Sequence, residues 1–196
     1  LCVAVGAPLA VFGWMDAAVL GRDTPISTQT GKLAVSSSDL PLVEHIHNVL
    51  GETNAQEQSS RPATLEEMES GLSDFLSSGV LPQWVADVWE QVCQTGVGTV
   101  TVTYGTDIIS YEYNGTDGVS CSYTTDLASG CVLGFQLYTK EEHTTSQERR
   151  QAVMERYIQY LGLDVLGDWV YNGNRYQSTE AQLFVNALLE EDSGGF

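Results

Sequence analysis

The chain has 196 residues, of which 26 are acidic and eight are basic, so its formal net charge is −18. A charge of this sign repels phosphate backbones and anionic lipid headgroups, which argues against nucleic acid and acidic membrane surfaces as partners. A domain of this length buries about 70% of the surface that its unfolded chain exposes. No repeat or low-complexity linker divides the sequence, so we predict a single domain over residues 1–196.

The first segment, residues 1–21, is mostly apolar and is predicted to form an apolar N-terminal helix. Pro8 suits the first turn of such a helix, and Gly21 lies just beyond its end. A helix that is apolar nearly all round must be covered by other protein or by lipid. Two predictions follow, a central core helix or a helix that contacts a partner subunit, a second copy or a membrane through residues 8–20.

Three amphipathic helices are predicted before residue 96. The first is capped by Asp39 and runs to Leu50, and the polar residues 52–62 after it are predicted to be a flexible loop. Thr64 and Glu67 form a capping-box pattern that begins a helix over residues 64–77. Pro82 begins the third helix, which carries apolar residues on one side.

A change to a period of two at Gly96 predicts strands. β-branched and aromatic residues alternate with Thr and Ser between Gly, Asn and Asp turns. The short connections predict a four-stranded antiparallel β-meander over residues 97–139, with one face against the helices.

The C-terminal part, residues 145–189, is predicted to be helical. Thr145 with Glu148 begins a long helix, and Thr179 with Gln182 begins a last one after a short strand or turn. Strands and helices are therefore segregated along the chain. The predicted fold class is α+β, a four-stranded antiparallel meander packed against several amphipathic helices.

Four cysteines without a CxxC pair favour two disulfides and a secreted, extracellular protein. Cys121 with Cys131 across a hairpin and Cys2 with Cys93 is one of three pairings, and four buried thiols in a cytosolic protein are the alternative. Asn114 begins an Asn-Gly-Thr glycosylation sequon, which fits the same compartment.

Metal and acid–base chemistry has two candidate clusters. His45, His47 and Glu52 have the spacing of a metal site, but on the predicted helix the two histidines are about 200° apart. We therefore predict neither a metal nor a cofactor. The second cluster, Glu141-Glu142-His143, suits proton transfer or, as an alternative, negative charge near a helix N-terminus.

Hydrolysis has one route in this sequence, a pair of carboxylates across a cleft. There is no GxSxG elbow for a nucleophilic serine, and no phosphate-binding glycine loop. The candidate carboxylates are Asp107, Glu112, Asp117, Asp126, Asp164 and Asp168.

Tyrosines on the predicted strands are the candidate binding residues. Tyr111, Tyr113 and Tyr123 would offer large, partly polar rings to a sugar or a protein if their sheet face is open. The alternative is cross-strand packing under a helix. The dibasic pair Arg149-Arg150 resembles a protease site but falls inside a predicted helix.

The leading functional hypothesis is a secreted, acidic, disulfide-stabilised interaction protein, toxin- or effector-like and without catalysis, that binds protein or carbohydrate at a cell surface. One alternative is an acid-active secreted hydrolase with a carboxylate pair. The other is a structural subunit that self-associates or contacts its partners through residues 8–20.

Overall fold

The computed structural model describes residues 2–6, 36, 40–51, 59–139 and 146–188. These segments contain four helices and nine strands. The helices are α1 (Pro41–Gly51), α2 (Leu65–Ser77), α3 (Gln83–Thr95) and α4 (Gln147–Tyr160). The strands are β1 (Cys2–Gly6), β2 (Ser59–Ala63), β3 (Gly98–Tyr104), β4 (Ile108–Gly115), β5 (Ser120–Asp126), β6 (Val132–Tyr138), β7 (Val170–Tyr171), β8 (Arg175–Ser178) and β9 (Leu183–Leu188).

The strands form one antiparallel sheet in the order β2-β3-β4-β5-β6-β1-β9-β8-β7. Strands β2–β6 make a five-stranded part and β7–β9 a three-stranded part, and β1 joins them by pairing with β6 and β9. The predicted mixture of helices with an antiparallel sheet is confirmed, but the predicted count of four strands is wrong. The additional strands pair partly with distant segments, which alternation within one segment does not reveal.

The meander β3–β6 follows the predicted alternation. Val100 and Val102 on β3 are buried, whereas the alternating residues Thr99 and Thr101 are exposed. The two faces of the sheet therefore differ sharply in polarity. Close packing also constrains this region, because a Cβ added at Gly98 would overlap the Tyr113 ring on β4.

Helices α2 and α3 cover the inner face of the sheet. The capping box of α2 forms as predicted, with Glu67 N donating to Thr64 Oγ1 and Thr64 N donating to Glu67 Oε2, each over 3.1 Å. Helix α3 ends at Gly96, whose φ of 60° suits a residue without a Cβ. The buried residues of the two helices are Met68, Leu72, Phe75, Val85, Trp89 and Val92.

Two predictions in the first third of the chain need correction. Cys2–Gly6 form strand β1, not the beginning of a helix, and residues 8–20 lie outside the described residues. Ser59–Ala63 form the edge strand β2, whereas a flexible loop was predicted for 52–62; residues 52–58 lie outside the described residues. An edge strand exposed on both faces has no apolar alternation to reveal it, and it tolerates Pro62, which lacks an N–H.

The C-terminal part combines one confirmed helix with one wrong prediction. Helix α4 forms, although its N-cap is Ser146 and not Thr145. The predicted last helix after Thr179 is instead the strand β9, which pairs with β8 and β1. Its buried residues alternate as Leu183, Val185 and Ala187, which is the periodicity of a strand.

Among the helices of the described segments, none combines the length and the hydropathy that a membrane span requires.

Candidate functional site

The predicted tyrosine surface lies on the covered face of the sheet. Tyr113 and Tyr123 are each only 2% exposed. Tyr123 Oη donates to the carbonyl of Met68 on α2 over 2.7 Å, and Tyr113 packs edge-on against Trp89 on α3. Tyr111 stacks on Tyr123 and is half-buried. Tyr113 and Tyr123 are therefore core residues packed under helices, and they do not form an open binding face.

The outer face of β3–β6 is polar instead. The strand register places its side chains in rows across four strands. One row is Thr99, Asn114, Ser120 and Tyr138, and the next is Thr101, Glu112, Ser122 and Gln136. Tyr138 is 52% exposed, so this face carries one open aromatic ring among hydroxyl, amide and carboxylate groups.

The sequon asparagine belongs to this outer face. Asn114 is exposed near the end of β4, and its Nδ2 donates to Glu112 Oε1 over 2.9 Å. Thr116, the third residue of the sequon, is exposed in the following turn. Both residues are accessible, and glycosylation itself stays a prediction.

The predicted disulfides are not formed. Cys93, Cys121 and Cys131 are free thiols. Cys121 on β5 lies opposite Leu137, whereas Cys131 comes just before the other end of β6, so the proposed hairpin bridge is wrong. Cys93 is free as well, which also contradicts a bond with Cys2. The number of cysteines is visible in the sequence, but the β5–β6 register that separates Cys121 from Cys131 is not.

Burial keeps the Cys93 and Cys121 thiols protonated. Desolvation, followed by the neighbouring Glu69 carboxylate, raises the pKa of Cys93 to about 11. Burial also raises the pKa of Cys121. A nucleophilic cysteine needs a lowered pKa, so neither thiol has the character of a catalytic group.

The two histidines of the HxH motif serve to dock α1. His45 Nε2 and Asp126 Oδ1 lie 2.8 Å apart, in ion-pair contact but outside hydrogen-bond geometry. His47 Nε2 lies 2.7 Å from the carbonyl oxygen of Ala181, in the turn between β8 and β9. The histidines thus contact different segments of the chain and do not converge on one ligand. Within the described ranges, no three His, Cys, Asp or Glu side chains gather as metal ligands would.

Asp126 is the buried centre of a small polar cluster. Its Oδ2 accepts from the backbone N and the Oγ of Ser129, over 2.7 and 2.6 Å. The carboxylate therefore lies between the serine and His45. A nucleophilic triad needs the histidine beside the hydroxyl, so this order fits a brace for the β5–β6 turn and α1.

The other candidate carboxylates with described contacts are Glu112, which accepts from Asn114 on the outer sheet face, and two that accept from backbone amides in turns. Asp117 accepts from Val119 N, and Asp168 accepts from Ser178 Oγ and Glu180 N. These contacts give no sign of a cleft with converging acids. The cluster at 141–143 lies outside the described residues, and Arg149-Arg150 lie in the first turn of α4.

A groove between α2 and α3 is the site that sequence reasoning missed. It encloses about 440 Å³. Its apolar lining is Leu76, Leu81, Pro82, Ala86 and Trp89, and its polar lining includes Glu69, Ser73, Ser77 and Gln83. Trp89 is only 3% exposed, and its Nε1 donor has no hydrogen-bond partner among the residues described.

The groove is built from a stretch of the chain that carries acidic side chains and no lysine or arginine. Residues 62–139 contain ten acidic side chains and no lysine or arginine. Six of the ten are on α2 and α3, namely Glu66, Glu67, Glu69, Asp74, Asp87 and Glu90. The long run without a basic residue is visible in the sequence and was the available signal. The groove itself depends on how two helices pack.

Comparison with known proteins adds no assignment: protein-family models, curated proteins and solved structures each yield no match to this chain.

Proposed function

We propose that this chain is a non-catalytic binding protein that recognises a cationic protein segment through its negatively charged half. The observation that carries the proposal is the segregation of charge. Ten acids and no lysine or arginine lie within residues 62–139, which fold together as α2, α3 and the meander. Complementary charge of this kind accelerates association and selects against like-charged partners.

The acids of α2 and α3 are open to a partner. Asp87 and Glu90 are exposed, and their hydrogen bonds are to the neutral amides of Gln83 and Gln94, one helical turn away. Glu67 is paired with Arg61, which lies just before this half of the chain. An amide leaves the charge of a carboxylate uncompensated, so Asp87 and Glu90 keep their attraction for an external cation.

The test is isothermal titration calorimetry of the protein with a short synthetic peptide in which pairs of Lys alternate with pairs of Leu. A peptide of equal length with Glu in place of Lys is the matched control. We expect the cationic peptide to bind and its affinity to fall as salt is added, because exposed charges are screened beyond about 8 Å at physiological ionic strength. Equal affinity for both peptides, or none for either, contradicts the proposal.

The outer sheet face supports a second candidate function, binding of carbohydrate. Its supporting observation is the exposed Tyr138 ring in a row with Ser120 and Asn114, next to Glu112 and Gln136. A flat ring beside amide and carboxylate groups suits the faces and hydroxyls of sugars. Titration of uncharged oligosaccharides against the protein and its Tyr138→Ala variant tests this. Binding that the variant abolishes supports it, and no binding contradicts it.

An extracellular location stays a prediction of the sequence, as do the alternatives of a hydrolase and an assembly subunit. Expression through a secretory pathway tests the location together with the sequon. We expect a mass increase that Asn114→Gln and Thr116→Ala both remove. A secreted product without added mass contradicts glycosylation at this site.

A further inference from the structure

We infer that the groove between α2 and α3 is where the cationic segment docks, and that this segment is a peptide in which a lysine or arginine lies beside an apolar side chain. The inference rests on the proposed function and adds the site and the chemistry of the ligand.

The groove has the size and the floor for an apolar side chain. Its volume of about 440 Å³ lies in the range of ligand pockets, roughly 300–1,000 Å³. Leu81, in the segment between the helices, and Trp89 on α3 are buried in the core, so packing holds the floor of the groove in place. Ala86 leaves room because its side chain is small. An apolar side chain of a partner would remove this lining from water.

The negative charge at the groove favours a cation next to that apolar side chain. Glu69 belongs to the lining, and neither α2 nor α3 carries a basic residue. One guanidinium of this chain already lies at the groove, since Arg156 Nη1 donates to the carbonyl of Gly79 over 2.7 Å. Gly79 lines the groove at the turn between the helices. This rim position is therefore taken by a cation of the chain itself, and Glu69 is the lining carboxylate that faces a cation of the partner.

The experiment fills the groove and measures affinity for the Lys/Leu peptide. In Ala86→Phe the new ring occupies the groove, and in Gln91→Phe the same ring is placed on α3 outside the groove lining. We expect Ala86→Phe to weaken binding about tenfold or more, and Gln91→Phe to bind like the original protein. A second probe, a Lys/Ser peptide of equal charge, is expected to bind more weakly than the Lys/Leu peptide.

The outcomes separate the two proposals. If no cationic peptide binds the original protein, the proposed function fails and the groove inference fails with it. If peptides bind but Ala86→Phe binds as well as Gln91→Phe, the proposed function stands and the groove inference is overturned. Circular dichroism checks the fold of each variant. If Ala86→Phe does not fold, Ser73→Phe on the exposed side of α2 replaces it, with the same expected loss.

Discussion

Two regions of this molecule share one sheet but are specified in different ways. In the meander region, residues 64–139, each of the strands β3–β6 pairs with its neighbour in sequence across a short turn. In the C-terminal region, residues 146–188, the strand β9 pairs with β1, so that Leu188 lies opposite Cys2. Local pairing leaves a readable pattern in the sequence. Pairing between the two ends of a chain does not.

The same two regions differ in charge. The ten acids and no lysine or arginine of residues 64–139 contrast with five acids and four arginines in residues 146–188. The C-terminal region also makes side-chain contacts of its own, such as the hydrogen bond from Tyr176 Oη to Glu155 Oε1 on α4. In the meander region no lysine or arginine competes for the exposed carboxylates, so they remain available to a partner.

Alkaline pH is expected to have the largest effect, mainly through the meander region. Burial raises the pKa of Cys93 to about 11 and raises the pKa of Cys121 and Tyr123; in the C-terminal region it raises the pKa of Tyr157. Above the unfolded pKa values of about 8.5 for Cys and 10 for Tyr, the unfolded chain binds fewer protons than the folded one. Stability is therefore full below these values and falls as pH rises, by up to about 1.4 kcal/mol per pH unit for each group.

Urea unfolding at a series of pH values between neutral and strongly alkaline, with a reductant present, measures this slope. Tyr123→Phe and Tyr157→Phe each remove one contributing group from one region, so each is expected to flatten the slope by about one group's share. A free energy of unfolding that does not change over this range contradicts the burial of these groups.

Truncation of core side chains is expected to have the next largest effect, measured by urea unfolding of one variant from each region. Leu72 on α2 and Leu183 on β9 are both fully buried. Replacing either with Ala is expected to lower the free energy of unfolding by about 2–5 kcal/mol. Val170→Ala on β7, where the side chain is 64% exposed, is the control. A Leu183→Ala variant as stable as this control would show that β9 is not a central strand.

A smaller loss is expected where α1 joins the meander. Asp126→Ala removes the acceptor of both Ser129 groups and the ion-pair partner of His45. Hydrogen bonds to a charged group such as the Asp126 carboxylate contribute about 1.5–3 kcal/mol to stability. A double-mutant cycle with His45→Ala isolates the contact of α1, and Asp117→Ala in an exposed turn is the control. No coupling between the two sites would show that His45 does not brace the helix.

The smallest effects are expected at the N-caps of α2 and α4. Thr64 Oγ1 accepts from Glu67 N, and Thr64 N donates the reciprocal bond of the capping box to Glu67 Oε2, whereas Ser146 Oγ accepts only from Arg149 N, over 3.3 Å. Thr64→Ala is expected to cost about 1 kcal/mol and Ser146→Ala less. Melting temperatures of the two variants measure the difference. A larger loss at Ser146 would contradict the ranking of the caps.

The candidate site was partly visible in the sequence. The capping box at Thr64 and the apolar spacing of α2 and α3 predict both helices that form the groove, and the absence of lysine and arginine between Pro62 and Thr139 marks the region as anionic. Strand parity places Tyr111 and Tyr113 on one face. It does not say which face the helices cover, so the predicted tyrosine surface became part of the core.

Helices α1 to α4, the meander β3–β6 and the net charge follow from local sequence, because caps, periodicity and side-chain type are read within a few residues. The strands β1 and β9, the separation of Cys121 from Cys131, and the groove beside Trp89 are visible only in the folded chain. Register and helix packing fix the last two, whereas the two strands depend on contacts between segments far apart in the chain. Such contacts form when burial of apolar surface outweighs local preference, as it does for the strand that follows Thr179.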